Sequence, residues 1–216
     1  MADRKFVVGV IGTQNTGKST FIRDLIVKYK GTENEFHTVG CDYRKKIEEA
    51  GLSINRKGNL AAQRIILDTL VEQVDIIRGM EAANYVTDRT PIDALVYTEY
   101  LYKHNPELGI TQSDLDEMLE KVKKSMSGYD LIVFLDLDDC GNVEVVDDKF
   151  RDTDLDYRSE IDSIFKETLV KIRHEIFGKL DTCINGSRMA RVDLFEIRNG
   201  FRFHKPIEET FPCGNA

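Results

Sequence analysis

Gly12-Thr13-Gln14-Asn15-Thr16-Gly17-Lys18-Ser19 has the residue types and spacing that hold a polyphosphate. Glycines at the two ends let the backbone wrap closely round an anion, and the successive N–H groups of such a loop point at phosphate oxygens together with the helix that follows. Lys18 is long enough to reach the outer phosphates, and the Ser19 hydroxyl is a suitable Mg²⁺ ligand. Gly12, Asn15, Thr16, Gly17, Lys18, Ser19 and Thr20 are therefore the expected contacts to a nucleoside triphosphate, by default ATP with Mg²⁺.

Moving a phosphoryl group also needs a group that positions the nucleophile and cations round the moving charge. Thr87-Asp88-Arg89-Thr90-Pro91 offers both. Asp88 can accept the proton of an acceptor hydroxyl or help bind Mg²⁺, and Arg89 can clamp a phosphate. The plainer alternative is a helix cap with a surface ion pair. Further on, Arg151 and Arg158 flank an acidic run over 150–158. Arginines on a closing segment would stabilise the transferring group and exclude water, and the bland counterpart is a solvated loop. Asp136, Asp138, Cys140 and Asp147 only half imitate a calcium loop, because the closing glutamate is missing. Asp136 is better read as a carboxylate near Mg²⁺ at a strand's end.

These residues need elements to carry them. Lys5–Gly12 reads as a buried parallel strand, continuous in apolar and β-branched residues. Gly17–Lys30 is helical by its spacing of Phe21, Ile22, Leu25 and Ile26. A weak strand over Phe36–Val39 and a short helix over Tyr43–Ala50, closed by Gly51, follow. Asn59 caps a long helix reaching Met80. Asn84–Thr87 reads as a strand end, Pro91–Lys103 as a proline-started helix, Thr111–Ser125 as an amphipathic helix and Asp130–Leu135 as a second buried strand. After an acidic, irregular stretch come a helix over Tyr157–Phe177, a short strand over Asp181–Asn185 and a helix over Ser187–Asn199. Alternating strands and helices predict an α/β three-layer fold with a mostly parallel sheet, whose ligands bind beyond the strands' carboxyl ends.

The 216 residues suit a single domain, with about 141–160 as a lid and about 201–216 as a tail that packs on the core or on a second subunit, a homodimer being one arrangement. No apolar run approaches the roughly 20 residues of a membrane span, and the N-terminus lacks the apolar stretch of a signal peptide. Cys41, Cys140, Cys183 and Cys213 form no CxxC pair, which argues against a zinc site or a disulfide framework and for a cytoplasmic setting. The formal charge of −8 disfavours non-specific DNA binding while leaving room for a local basic groove.

The phosphate loop, Asp88-Arg89-Thr90 and the later arginine-bearing stretch resemble the P-loop nucleoside and nucleotide kinases. The closer likeness is to the AAA-type kinase-like domains that include bacterial nicotinamide riboside kinase and many phage-encoded nucleotide kinases. It covers most of residues 5–200. The resemblance implies a P-loop NTPase fold with five strands and a lid carrying Arg151 and Arg158, with Asp88 as general base and Arg89 beside it. It also implies acceptor contacts from Asp42 and Arg44 and a base-reading amide at Gln63, with Phe36 and His37 near the pocket. Arg188 or Arg191 would lie against the adenine. A phage origin, and hence a host cytoplasm, is part of what it implies. The expected activity is transfer of the ATP γ-phosphoryl group to a nucleoside- or nucleotide-type acceptor. Two alternatives stay open: a kinase acting on DNA, at a hydroxymethylated base or a 5′-hydroxyl, and an acceptor-independent NTPase or regulatory module. For the last, Leu131–Leu135 followed by Asp136 makes half of an acidic Walker B pair, with Leu137 in the second position.

Overall fold

The computed structural model of the chain describes residues 5–137 and 154–182. The elements run β1 (Phe6–Ile11), α1 (Lys18–Tyr29), β2 (Phe36–His37), α2 (Tyr43–Glu49), α3 (Leu60–Gly79), β3 (Asn84–Asp88), α4 (Pro91–His104), α5 (Gln112–Ser125), β4 (Leu131–Phe134), α6 (Leu155–Lys171), α7 (Arg173–Ile176) and β5 (Leu180–Thr182). The sheet order is β2-β3-β1-β4-β5, and every pairing is parallel.

All six residues of β1 and all four of β4 are buried, because helices cover both faces of the sheet. Phe6, Val8 and Val10 turn to one face, where Phe21 and Leu25 of α1 pack with Phe36, Val86 and Val133. Val7, Ile132 and Phe134 join the larger core under α3, α4, α5 and α6. Helix α3 starts as its sequence demands, with the Asn59 side chain accepting from the Ala62 N–H at 2.9 Å. Helix α4 has a full capping box. The Thr90 hydroxyl serves the first turn while Asp93 Oδ2 accepts from the Thr90 N–H at 2.9 Å.

Two expectations need correction. The predicted helix over 157–177 begins earlier, at Leu155, and stops at Lys171. The non-helical Ile172 is fully buried and is followed by the separate turn α7, so burial of Ile172 and Ile176 bends the chain where periodicity alone continued it. Phe36, expected near a pocket, is 2% exposed in the core, its ring against Tyr29 at 5.8 Å.

Gly9 lets the sheet and the α4 cap come together. A Cβ there would lie 2.5 Å from Thr90 Cγ2 and 3.0 Å from the Tyr129 ring. Thr90 cannot rotate away without giving up its cap. Gly9→Ala should therefore destabilise the chain by about 1–3 kcal/mol through overpacking, measured by urea denaturation. An unchanged midpoint would contradict this reading of the contact.

Candidate functional site

Strand β1 is flanked by β3 on one side and β4 on the other, so the carboxyl ends of all three strands lie together at one edge of the sheet. The loop between β1 and α1 uses left-handed backbone three times, at Gly12 (φ 138°), Asn15 (φ 57°) and Gly17 (φ 82°). Gly12 is needed for space as well, since a Cβ there would sit 2.7 Å from the Leu135 carbonyl oxygen. Gly17 occupies the N-cap of α1 and supplies no side-chain cap. The first N–H groups of α1 are therefore left to an anion.

The loop is held in shape by its own side chains and by one distant residue. Thr16 Oγ1 donates to the Thr13 carbonyl at 3.0 Å. The Lys18 ammonium is buried and donates to the Gly12 and Thr13 carbonyls at 2.8 and 2.6 Å. Arg158 donates to the carbonyls of Gln14, from Nε at 3.2 Å, and of Asn15, from Nη2 at 3.4 Å. Four successive carbonyls thus face cations, and the N–H groups are left to form the anion-binding side. Arg158 is 4% exposed in the first turn of α6. Expected on a mobile lid, it is instead a buried strut, because the helix starts early enough to turn it onto the loop. Arg151, Arg188 and Arg191 lie outside the described residues, as do the predicted lid before 154, the tail and the helix over 187–199.

Asp88 reaches the loop through strand register. Val10 of β1 pairs with Asp88 of β3, and the Ser19 hydroxyl donates to Asp88 Oδ2 at 3.2 Å. Two oxygen donors, a hydroxyl and a carboxylate, converge in front of the loop. That donor set suits Mg²⁺, a hard cation usually held by one or two protein oxygens together with substrate phosphates. Among the described residues no group of three or more His, Cys, Asp or Glu is placed to hold a metal ion. Thr20 is exposed on the first turn of α1.

Arg89, the next residue, takes a left-handed backbone (φ 83°), which is strained for a side chain of its kind. Its N–H donates to the Val10 carbonyl at 3.0 Å, its guanidinium bonds Asp93 at 3.0 Å, and it lies 5.6 Å from the centre of the Tyr97 ring. Burial pushes the Asp93 carboxyl above the usual range, and Arg89 and Lys18 temper that rise. Asp93 was not picked out from the sequence. Its signal was there, in the Thr90-x-x-Asp93 capping spacing and the Arg89-to-Asp93 separation of one helical turn.

Beyond Arg89 lies a pocket, open to solvent, between α2, α3, α4 and the turn at 55–57. Arg44, Gln63 and Arg89 line it, with Tyr43 and Tyr97 as aromatic walls. Gln63 is 1% exposed, and its Oε1 has no hydrogen-bond partner among the described residues. A buried acceptor in that state is costly unless a ligand or a water donates to it. His37 and Asp42 were expected here, and neither lines the pocket. His37 is exposed at the end of β2 beside Tyr85, and the exposed Asp42 lies 3.7 Å from Lys46 in the next helical turn.

At the end of β4, Asp136 is 7% exposed and 3.1 Å from Lys166 of α6, which also pairs with Asp162 at 3.0 Å. Asp162 Oδ1 accepts from the Leu137 N–H at 3.0 Å. The expected metal-side carboxylate is thus engaged in a buried cluster tying β4 to α6.

The loop and the all-parallel sheet order define an α/β domain with a P-loop. The chain belongs to a family described as an AAA domain, whose model matches residues 7–178. Among solved structures, it is similar to NadR protein in complex with NR (TM-score 0.64, 16% identity, 93% of this chain and 53% of that one). It is also similar to NadR with NAD and AMP-PNP (0.62, 15%, 94% and 51%) and to deoxyadenosine kinase from M. mycoides with bound dATP (0.56, 17%, 82% and 89%). Thymidylate kinase from Ehrlichia chaffeensis is a further likeness (0.54, 15%, 92% and 95%). The chain spans about half the length of the NadR chains. No curated protein matches it. No helix among the described residues is long and apolar enough to cross a membrane.

The cluster at β4 makes a pH prediction. Burial and the neighbouring Asp136 push the Asp162 carboxyl up to about 6. A carboxyl raised in the folded state favours folding most below its unfolded pKa of about 3.9, and that contribution is lost as pH rises through about 6. Stability should therefore contain a component that falls between about pH 4 and 6 and is absent in Asp162→Asn. Thermal melts of both proteins across that window check it. Parallel pH profiles would contradict the assignment.

Proposed function

We propose that the chain is an ATP-dependent phosphotransferase that moves the γ-phosphoryl group of ATP to a nucleoside- or nucleotide-type acceptor. The observation that carries this reading is the position of Asp88-Arg89. Asp88 touches Ser19 of the phosphate loop at 3.2 Å, and Arg89 lines the pocket on the other side. Donor and acceptor halves therefore meet at one pair of residues. An NTPase that needs only water has no use for the second half. Likeness to structures holding AMP-PNP, dATP and NR supports the reading.

In this scheme the loop N–H groups and Lys18 hold the triphosphate, and Ser19 would hold Mg²⁺, with Asp88 reaching the ion only through a water so that its carboxylate stays basic. When bound, that ion neutralises charge on the outer phosphates. The acceptor sits with its base between Tyr43 and Tyr97. Gln63 Oε1 accepts from a base N–H, and Arg44 and Arg89 meet sugar or phosphate oxygens. Asp88 orients the acceptor hydroxyl and takes its proton as the acceptor oxygen bonds to the γ-phosphorus. The bond from that phosphorus to the bridging oxygen breaks, and ADP leaves.

Transfer of label from γ-labelled ATP to a panel of nucleosides, nucleotides and DNAs tests this. Lys18→Ala should lower transfer by about 10²-fold or more, and Asp88→Asn by about 10²–10⁴-fold, the latter with an unchanged melting temperature. Near-full transfer by Asp88→Asn would overturn its role. Label found only in DNA would overturn the small-molecule acceptor, and rapid hydrolysis with no labelled acceptor would overturn the kinase.

A further inference from the structure

The donor loop and the acceptor pocket are joined a second time, away from Asp88. Ile54 and Asn55 line the pocket, and Asn55 is held in a left-handed turn (φ 57°) that begins the 3₁₀ segment Asn55–Lys57. The next residue, Arg56, leaves the pocket and reaches the start of α6. Its guanidinium lies 2.9 Å from Asp154 and 4.8 Å over the ring of Tyr157, while its carbonyl accepts from Asn105 Nδ2 at 3.4 Å. Both contacted residues are fixed. Asp154 caps α6 by accepting from the Tyr157 N–H at 3.0 Å. Tyr157 is 3% exposed and packs edge-on to Tyr100 of α4 at 4.7 Å. Arg158 follows directly, bonded to the Gln14 and Asn15 carbonyls.

The geometry points to Arg56 as a positioning residue that couples the wall of the acceptor pocket to the shape of the phosphate loop. Each link in the path is a defined contact: pocket wall, Arg56, first turn of α6, Arg158, loop carbonyls. Helix α6 is a firm lever, because Lys171 and Thr168 at its far end hold the buried Glu99 of α4 at 2.6 and 3.4 Å. A change in the loop's carbonyl contacts on binding triphosphate therefore reaches the Arg56 anchor through the first turn of α6, and tightens the turn that carries Ile54 and Asn55. The inference rests on the reading of residues 12–19 as the nucleotide site. It adds a route by which occupancy of that site changes the acceptor pocket.

Hydrogen exchange of the full chain, with and without AMP-PNP and Mg²⁺, tests it. In the wild type, AMP-PNP should slow exchange at 12–19 and also at 54–58, the latter by about fivefold or more. Arg56→Ala should keep the slowing at 12–19 and lose it at 54–58. Arg56→Lys, which keeps the ion pair with Asp154, should retain it in part. Arg56→Gln gives the same test should the alanine variant fold poorly. Equal slowing at 54–58 in wild type and Arg56→Ala overturns the coupling alone. Slowing confined to 12–19 in the wild type does the same. Absence of slowing at 12–19 overturns the nucleotide site and the coupling together.

Discussion

The contact between Ser19 and Asp88 exists only because β1 and β3 run parallel in one register, with Val10 opposite Asp88. A slip of one residue would turn Asp88 to the other face of the sheet and Arg89 away from the pocket. That register is fixed by burial, since every residue of β1 and the first four of β3 are enclosed. The glycines depend on the same frame. Gly9 gives Thr90 and Tyr129 room, and Gly12 lets the loop pass the Leu135 carbonyl. Packing of an ordinary α/β core thus sets the positions of the groups that meet at its edge.

Charge within the site follows a consistent pattern. Lys18 and Arg158 face the loop's carbonyls, so the loop presents N–H groups to an anion without a competing oxygen surface. A hydrogen bond from a charged donor contributes about 1.5–3 kcal/mol, enough to hold an irregular segment in one shape. On the pocket side, Asp93 holds the strained Arg89, so its fork is fixed before any acceptor arrives. Such prior positioning removes ordering cost from the bound state.

Much of this was legible in the sequence, for identifiable reasons. The phosphate loop, β1 and β4 are local features, written in glycine spacing and apolar runs, and Asn59 and Pro91 mark helix starts by local chemistry. Gln63 and Arg44 do reach one pocket, though only the family resemblance singled them out. The misplaced residues depend on relations the chain does not write locally. Arg158 sits 144 positions from Gln14, and its burial depends on where α6 begins, a boundary blurred by the acidic run before it. Phe36 belongs to a strand of two residues, too short for period-two alternation to show which face it takes. His37 and Asp42 precede Tyr43 and Arg44 in sequence, yet neither lines the pocket. The Asp136–Lys166–Asp162 cluster joins a strand end to a helix in a later part of the chain, so neither segment alone announces it.

The central claim is that Asp88 stands between a triphosphate on the loop and an acceptor in the Tyr43–Tyr97 pocket. It is tested most directly by a crystal structure with AMP-PNP, Mg²⁺ and whichever panel acceptor receives label from ATP. The account predicts the γ-phosphoryl group near Lys18 and Ser19, the acceptor between Tyr43 and Tyr97, and its hydroxyl within hydrogen-bond reach of Asp88. An acceptor bound elsewhere, or a hydroxyl positioned by another residue with Asp88 turned away, would contradict it.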